Sequence, residues 1–233
     1  LLFILSTILL GVGTGFGGLQ DILASQSAPA GVSEEDARKA IEENPNNAQA
    51  YRDLSSALQT KGELDAAIPP LAKYVSMSPN DTDARRELAG LYLRQADRWQ
   101  TQAQLVQLQI QTEAPGQTFM PPGDSKIGQV LANDPITQAR TSDLNARLNE
   151  ALTRMQSAST NAVRVYEQIA KALPRDATVQ FELAQAAEAA SDIPTAIAAY
   201  RAFLRLAPED QSGPAVRDRI KQLEGVSAGN SGG

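Results

Sequence analysis

One distance recurs along this chain. Pro45 to Pro79 is 34 residues, and Pro174 to Pro208 is 34; Leu54 to Leu88, Ala162 to Ala196, Tyr166 to Tyr200 and Ile169 to Phe203 keep the same step. A fixed period of that length marks stacked helix–turn–helix units, none of which buries its apolar face without a neighbour. Between these pairs the register jumps. Pro79 to Pro174, Ala67 to Ala162, Leu71 to Tyr166 and Leu88 to Leu183 are each 95 residues. The excess over one period is 61 residues, so one unit is expected to carry an insertion. The spacing predicts an all-α solenoid of helical hairpins with an arm added in its second unit.

The residues on this register resemble the tetratricopeptide repeat family. The first repeat, about 48–81, reads Tyr51, Leu54, Ser55, Leu58, Ala67, Leu71, Tyr74 and Pro79, with Gly62 in its turn. The split repeat, about 82–93 plus 155–176, starts with Arg85, Leu88, Ala89 and Tyr92 and resumes at Ala162, Tyr166, Ile169 and Pro174. The last, about 177–210, reads Gln180, Leu183, Ala184, Ala187, Ala196, Tyr200, Phe203 and Pro208. Arg85 and Gln180 depart from the family's bulky first position, and Ser55 or Ala replaces its small Gly. The resemblance implies a scaffold that binds other proteins through the groove lined by its first helices.

Composition narrows the chemistry. A net charge of −6 argues against general nucleic-acid binding, because a phosphate backbone needs a basic face. The chain has no cysteine and no histidine. Thiol nucleophiles and thiolate metal sites are thereby excluded, and the commonest general base and transition-metal ligand are missing. No isolated carboxylate pair stands in an apolar setting, and Asn80-Asp81-Thr82-Asp83 lacks the ligand spacing of a calcium loop, reading instead as a turn and helix start. The expectation is a protein that is not an enzyme, with no cofactor, no metal and no small-molecule substrate.

The amino terminus is a different material. Leu1 to Leu19 holds no charge, and its length as a helix, roughly 28 Å, matches the hydrocarbon thickness of a bilayer. Gly11 and Gly15 have the spacing that lets membrane helices approach closely. Residues 1–23 are expected to be a transmembrane anchor. A cleavable signal peptide is the rival reading, since Ala28-Pro29-Ala30 loosely imitates a cleavage site. No Lys or Arg occurs between the apolar span and Arg38, which by the positive-inside rule puts the following domain outside the cytoplasm. Residues 24–32, rich in Ser, Ala, Gly and Pro, read as a flexible linker.

The remaining boundaries follow from caps and breakers. Ser33-Glu34-Glu35-Asp36 opens a helix that shields the first repeat, so the solenoid is expected over 33–224. Val216, Ile220 and Leu223 give a capping helix over 214–224, and the Gly/Ser/Asn-rich stretch 225–233 reads as a disordered tail.

The arm, about 94–154, carries the more specific signals. Tyr92, Ala96, Trp99, Ala103, Val106 and Ile110 are spaced 4-3-4-3-4, and Leu144, Leu148, Ala151, Met155, Ala158 and Ala162 match them. That is the seam of a long antiparallel helical hairpin, of coiled-coil type. Residues 112–135 form its tip, where Pro115, Pro121, Pro122 and Pro135 forbid a regular helix. Leu105 and Leu108 fall off the seam on a face of glutamines, and 99–112 contains no charge. Either they repack against the returning helix or tip, or they form a docking face for another protein or the membrane interface; Phe119, Met120 and Ile127 of the tip either fold back on the hairpin or plug into a partner. In the groove, the family resemblance marks Gln49, Arg52, Ser56, Arg86, Arg94, Phe181 and Gln185 as contact positions; Arg52 and Arg86 either meet an acidic ligand or, as is commoner for such arginines, stay solvated or bridge neighbouring helices. The functional expectation is a membrane-tethered scaffold, an accessory subunit of a membrane complex. The alternative is an extracytoplasmic chaperone-like or assembly factor that binds client peptides transiently.

Overall fold

The computed structural model describes residues 32–113 and 135–230. Among them are eight helices and no strand: α1 (Glu34–Glu43), α2 (Ala48–Thr60), α3 (Leu64–Met77), α4 (Thr82–Glu113), α5 (Pro135–Ala172), α6 (Ala177–Ala189), α7 (Ile193–Leu206) and α8 (Gly213–Asn230). Each packs on its neighbours in the chain, the ordering of a stacked array.

Local chemistry sets the starts of the units. Asn47, Asp81 and Asp176 are separated by 34 and 95 residues, and each stands just before the first helix of a unit. Their side-chain oxygens accept from the amides of Ala50 (3.4 Å), Ala84 (2.9 Å) and Val179 (3.2 Å). Such caps satisfy amides that have no partner within the helix and stabilise by about 1 kcal/mol each. Ser33 does the same for α1, accepting from the Asp36 amide at 3.1 Å.

The turns inside the first and last units are also equivalent. Gly62 has φ of 79° and Ser191 φ of 58°. In each case the next amide reaches back to close the helix: Glu63 to the Leu58 carbonyl at 2.9 Å, and Asp192 to the Ala187 carbonyl at 2.8 Å. This is the left-handed helix stop that glycine adopts without strain.

The core is built from the periodic positions. Ala67, Leu71, Leu88, Ala89, Tyr166, Ile169, Leu183, Ala184, Ala196, Tyr200 and Phe203 are buried together. The small position of each hairpin is fully buried at Ser55, Ala89 and Ala184. Ser55 is polar in that setting, and its hydroxyl donates to the Ala67 carbonyl across the hairpin at 2.9 Å. The bond offsets the cost of burying an oxygen where its counterparts carry only a methyl group.

Two helices exceed the rest. α4 has 32 residues against 13 in α2, so it continues roughly 28 Å past the point where a regular unit turns. α5 has 38 against 14 in α3. They run antiparallel, since Arg86 meets Asp176 near one end and Trp99 meets Arg154 further along. Ala96, Ala103 and Val106 on α4 are buried, as are Leu144, Ala151, Ala158 and Ala162 on α5. The Arg154 guanidinium lies 4.7 Å from the centre of the Trp99 ring.

One boundary is corrected. α8 begins at Gly213 and runs through Asn230, so 225–230 is helical where a disordered tail was expected, and the helix is longer than 214–224. Gly225 does not take the left-handed conformation that ends a helix; Gly62 is the only glycine among the described residues with positive φ. Among the described residues no helix is long and apolar enough to cross a membrane. The anchor expected at 1–23 and all of the linker but its last residue lie outside them, as does most of the arm tip with Phe119, Met120 and Ile127.

Candidate interaction surfaces

α2, α4 and α6 are the first helices of the three units, and their corresponding positions follow the same 34- and 95-residue steps. Arg52, Arg86 and Phe181 form one such row. Arg52 reaches forward to the next unit, 3.4 Å to Asp81 and 3.5 Å to Glu87, with its guanidinium 5.0 Å from the centre of the Tyr74 ring. Arg86 repeats the reach, 3.6 Å to Asp176 and 3.1 Å to Glu182, and adds Asp83 of its own helix at 3.7 Å. Asp81 and Asp176 are equivalent, and so are Glu87 and Glu182. The same clamp therefore joins the first unit to the second and the second to the third.

The two arginine side chains are only 22% and 25% exposed, so most of their charge is spent on neighbouring helices. This is the bridging arrangement, and an acidic ligand would have to compete with carboxylates already in place. Burial works to raise the Asp81 carboxyl, but the Tyr74 hydroxyl, the Ala84 amide and Arg52 outweigh it and hold it below its ordinary range. The same hydrogen bond, 2.7 Å from Tyr74 to Asp81, pushes the Tyr74 hydroxyl up. Glu182 goes the other way, because burial raises it more than Arg86 lowers it.

Phe181 ends the ladder. It is half-buried, with its ring 5.8 Å from Tyr200 and 5.2 Å from Phe203, and serves packing between α6 and α7. The next row holds Ser56, Gly90 and Gln185, all partly exposed, and a side chain added at Gly90 would meet nothing within 4 Å of its Cβ. Gln49 is exposed and donates to Asp53 at 2.7 Å. Arg94 is off this register: the steps that connect Gln59 to Glu188 pass through Leu93, which packs against the core. Gln59 bonds Glu87 at 2.7 Å, and Glu188 is held by Arg219 of α8 at 2.7 Å.

The arm has its own surface. Leu105 and Leu108 are 57% and 56% exposed, so the returning helix does not cover them. Arg94, Arg98, Thr101, Leu105, Leu108 and Thr112 are spaced 4-3-4-3-4, which puts them on the side of α4 opposite its seam with α5. The arm is braced at its base. Arg98 and Gln95 reach Asp65, just past the turn between α2 and α3, at 3.3 and 2.9 Å, and Gln156 of α5 donates to the Ala190 carbonyl at 3.1 Å. No sequence pattern picks out these bracing residues, because their partners lie 30 to 34 residues away. Among the described residues no group of three or more carboxylates is placed to hold a metal ion.

The tetratricopeptide repeat family model matches residues 31–82 and 156–211 and leaves the arm between them uncovered. Similar solved structures include YrrB, a TPR protein with an unusual peptide-binding site, at 14% identity and a TM-score of 0.26, covering 82% of this chain and 93% of that one. MamA residues 41 to the end, from Desulfovibrio magneticus RS-1, gives 16% identity and a TM-score of 0.25 over 76% of this chain and 94% of its own. An ArsTM double mutant of MamA from strain RS-1 gives 15% and 0.24, over 77% and 96%. Superpositions of that quality define no common curvature. No curated protein matches the chain.

Proposed function

From the premise that tetratricopeptide repeats flank an over-long helical pair, we propose that this chain is a membrane-tethered protein-interaction scaffold, an accessory subunit of a membrane complex. Residues 1–23 are its anchor and the helical domain lies on the extracytoplasmic side. The arm, an insertion of about 94–154 in the second repeat, is the main docking element. The observation that carries this reading is Leu105 and Leu108: two large apolar side chains more than half exposed on a helix braced at its base. An exposed apolar face on a rigid projection costs solubility unless something uses it.

Deleting 100–154 and closing the helices with a short turn tests the assignment. The tagged chain and the deletion variant are purified from native membranes in mild detergent, and bound proteins are quantified by mass spectrometry. A partner held at fixed ratio by the intact chain and lost from the variant is the expected result. Unchanged binding removes the arm from the account. The open row at Ser56, Gly90 and Gln185 favours a second reading, a chaperone-like factor holding peptides in the groove. A diffuse set of substoichiometric clients, insensitive to the deletion, would favour it.

A further inference from the structure

We infer that the outer face of α4 is a self-association seam, on which two copies of this chain pair antiparallel through Leu105 and Leu108. The inference rests on the reading of the arm as a docking element and names its occupant. Thr101, Leu105, Leu108 and Thr112 form a 4-3-4 stripe with both leucines more than half exposed. This is the pattern one helix offers to another. With a two-fold axis between Leu105 and Leu108, Leu105 of one protomer meets Leu108 of its partner, and Thr101 meets Thr112. No layer of this pairing sets like charges against each other.

Charge selects the occupant. The chain carries a net charge of −6, so two copies repel over most of their surface, but residues 99–112 hold no charge at all. The stripe is flanked by Gln102, Gln104 and Gln111, and by Gln109, which already has a partner within the fold. Each amide both donates and accepts, so a glutamine rim is complementary to a second copy of itself in either orientation. A foreign helix with charged rims would find no opposite charges here. A membrane surface would need Lys or Arg along the flanks of the stripe, where glutamine stands instead. Two leucines per protomer make a small seam, so the association is weak and concentration-dependent.

The chain has no cysteine, which makes a single introduced thiol unique. Full-length Leu105→Cys and Leu108→Cys proteins, purified in detergent, are oxidised separately and as a mixture. The antiparallel seam gives a mixed disulfide dimer severalfold in excess of either homodimer. Sedimentation of the purified unmodified chain shows a reversible dimer, and Leu105→Glu/Leu108→Glu weakens it by at least about tenfold, since paired charges would be forced into an apolar seam. Three outcomes overturn the inference: a monomer with Leu105→Cys freely alkylated, a monomer with that thiol protected by residues 114–134, or crosslinking in membranes only to another protein. Sedimentation uses the purified chain alone and the deletion test reads bound partners, so failure of one is distinguishable from failure of the other.

Discussion

Arg86 and Glu182 stand 96 residues apart in the sequence and 3.1 Å apart in the fold. The contact repeats, one unit later, the reach of Arg52 to Glu87, and Asp176 takes the place of Asp81 beside it. It spans the whole arm and joins the second unit to the third.

Arg86→Gln should destabilise the chain by about 1–3 kcal/mol, because it leaves a largely buried carboxylate without its cation. Arg86→Gln/Glu182→Gln should recover part of that loss. A double-mutant cycle from urea unfolding reads the difference; additive effects would mean the two side chains do not act as a pair.

Acid affects two carboxylates of the ladder, Asp81 and Glu182, in opposite senses. Asp81 is held below its ordinary value in the folded chain, so its contribution is present above that value and is lost as the pH falls through the folded one. The stability gap between the native chain and Asp81→Asn, which keeps a capping side chain, should therefore shrink on acidification. Glu182 is raised, so its contribution is present below the ordinary glutamate value and lost as pH rises through the folded one. The gap between the native chain and Glu182→Gln should fall with rising pH. Denaturation curves from about pH 3 to pH 7 bracket both ordinary values and show the two slopes.

The turns supply a backbone test. Ser191 holds a left-handed φ of 58° that Gly62 adopts without cost in the equivalent turn. Ser191→Gly should stabilise by roughly 0.5–1 kcal/mol. Gly62→Ala should cost about 1 kcal/mol from φ alone, since a Cβ there meets nothing within 4 Å. Thermal melts of the two variants should move in opposite directions.

Phe181 separates packing from recognition. Its contacts with Tyr200 and Phe203 predict that Phe181→Ala lowers stability by about 2 kcal/mol. Phe181→Leu should keep much of the stability. A peptide-binding loss in Phe181→Leu at undiminished stability would return this side chain to the groove.

The 34-residue step, the helix start at Asp81 and the small positions at Ser55, Ala89 and Ala184 were legible, because each depends on residues within one turn or one hairpin; the equivalent caps at Asn47 and Asp176 emerged only with the structure. The candidate site was less so. The groove arginines were found by position, yet their partners Asp81, Glu87, Asp176 and Glu182 belong to the next unit, and nothing local marks them. Arg94 was one residue out, since the 34-residue step from Gln59 falls on Leu93. The helical run from Gly225 to Asn230 was hidden by composition, since glycine marks a helix stop only where the backbone becomes left-handed.

By itself the sequence determined the array: periodic apolar residues cannot be buried except by stacking, and a helix of given periodicity has only one face to stack on. It also determined where charge is absent, along 99–112, and hence which surface of the arm is unlike the rest. Tertiary structure alone decided what that surface is available for. Only when α4 and α5 pair is one stripe of α4 consumed by the seam and the opposite stripe, with Leu105 and Leu108, left facing solvent. It likewise decided that Arg52 and Arg86 lock units together, because a guanidinium binds whichever carboxylates the fold brings within reach, and that distance is set by stacking.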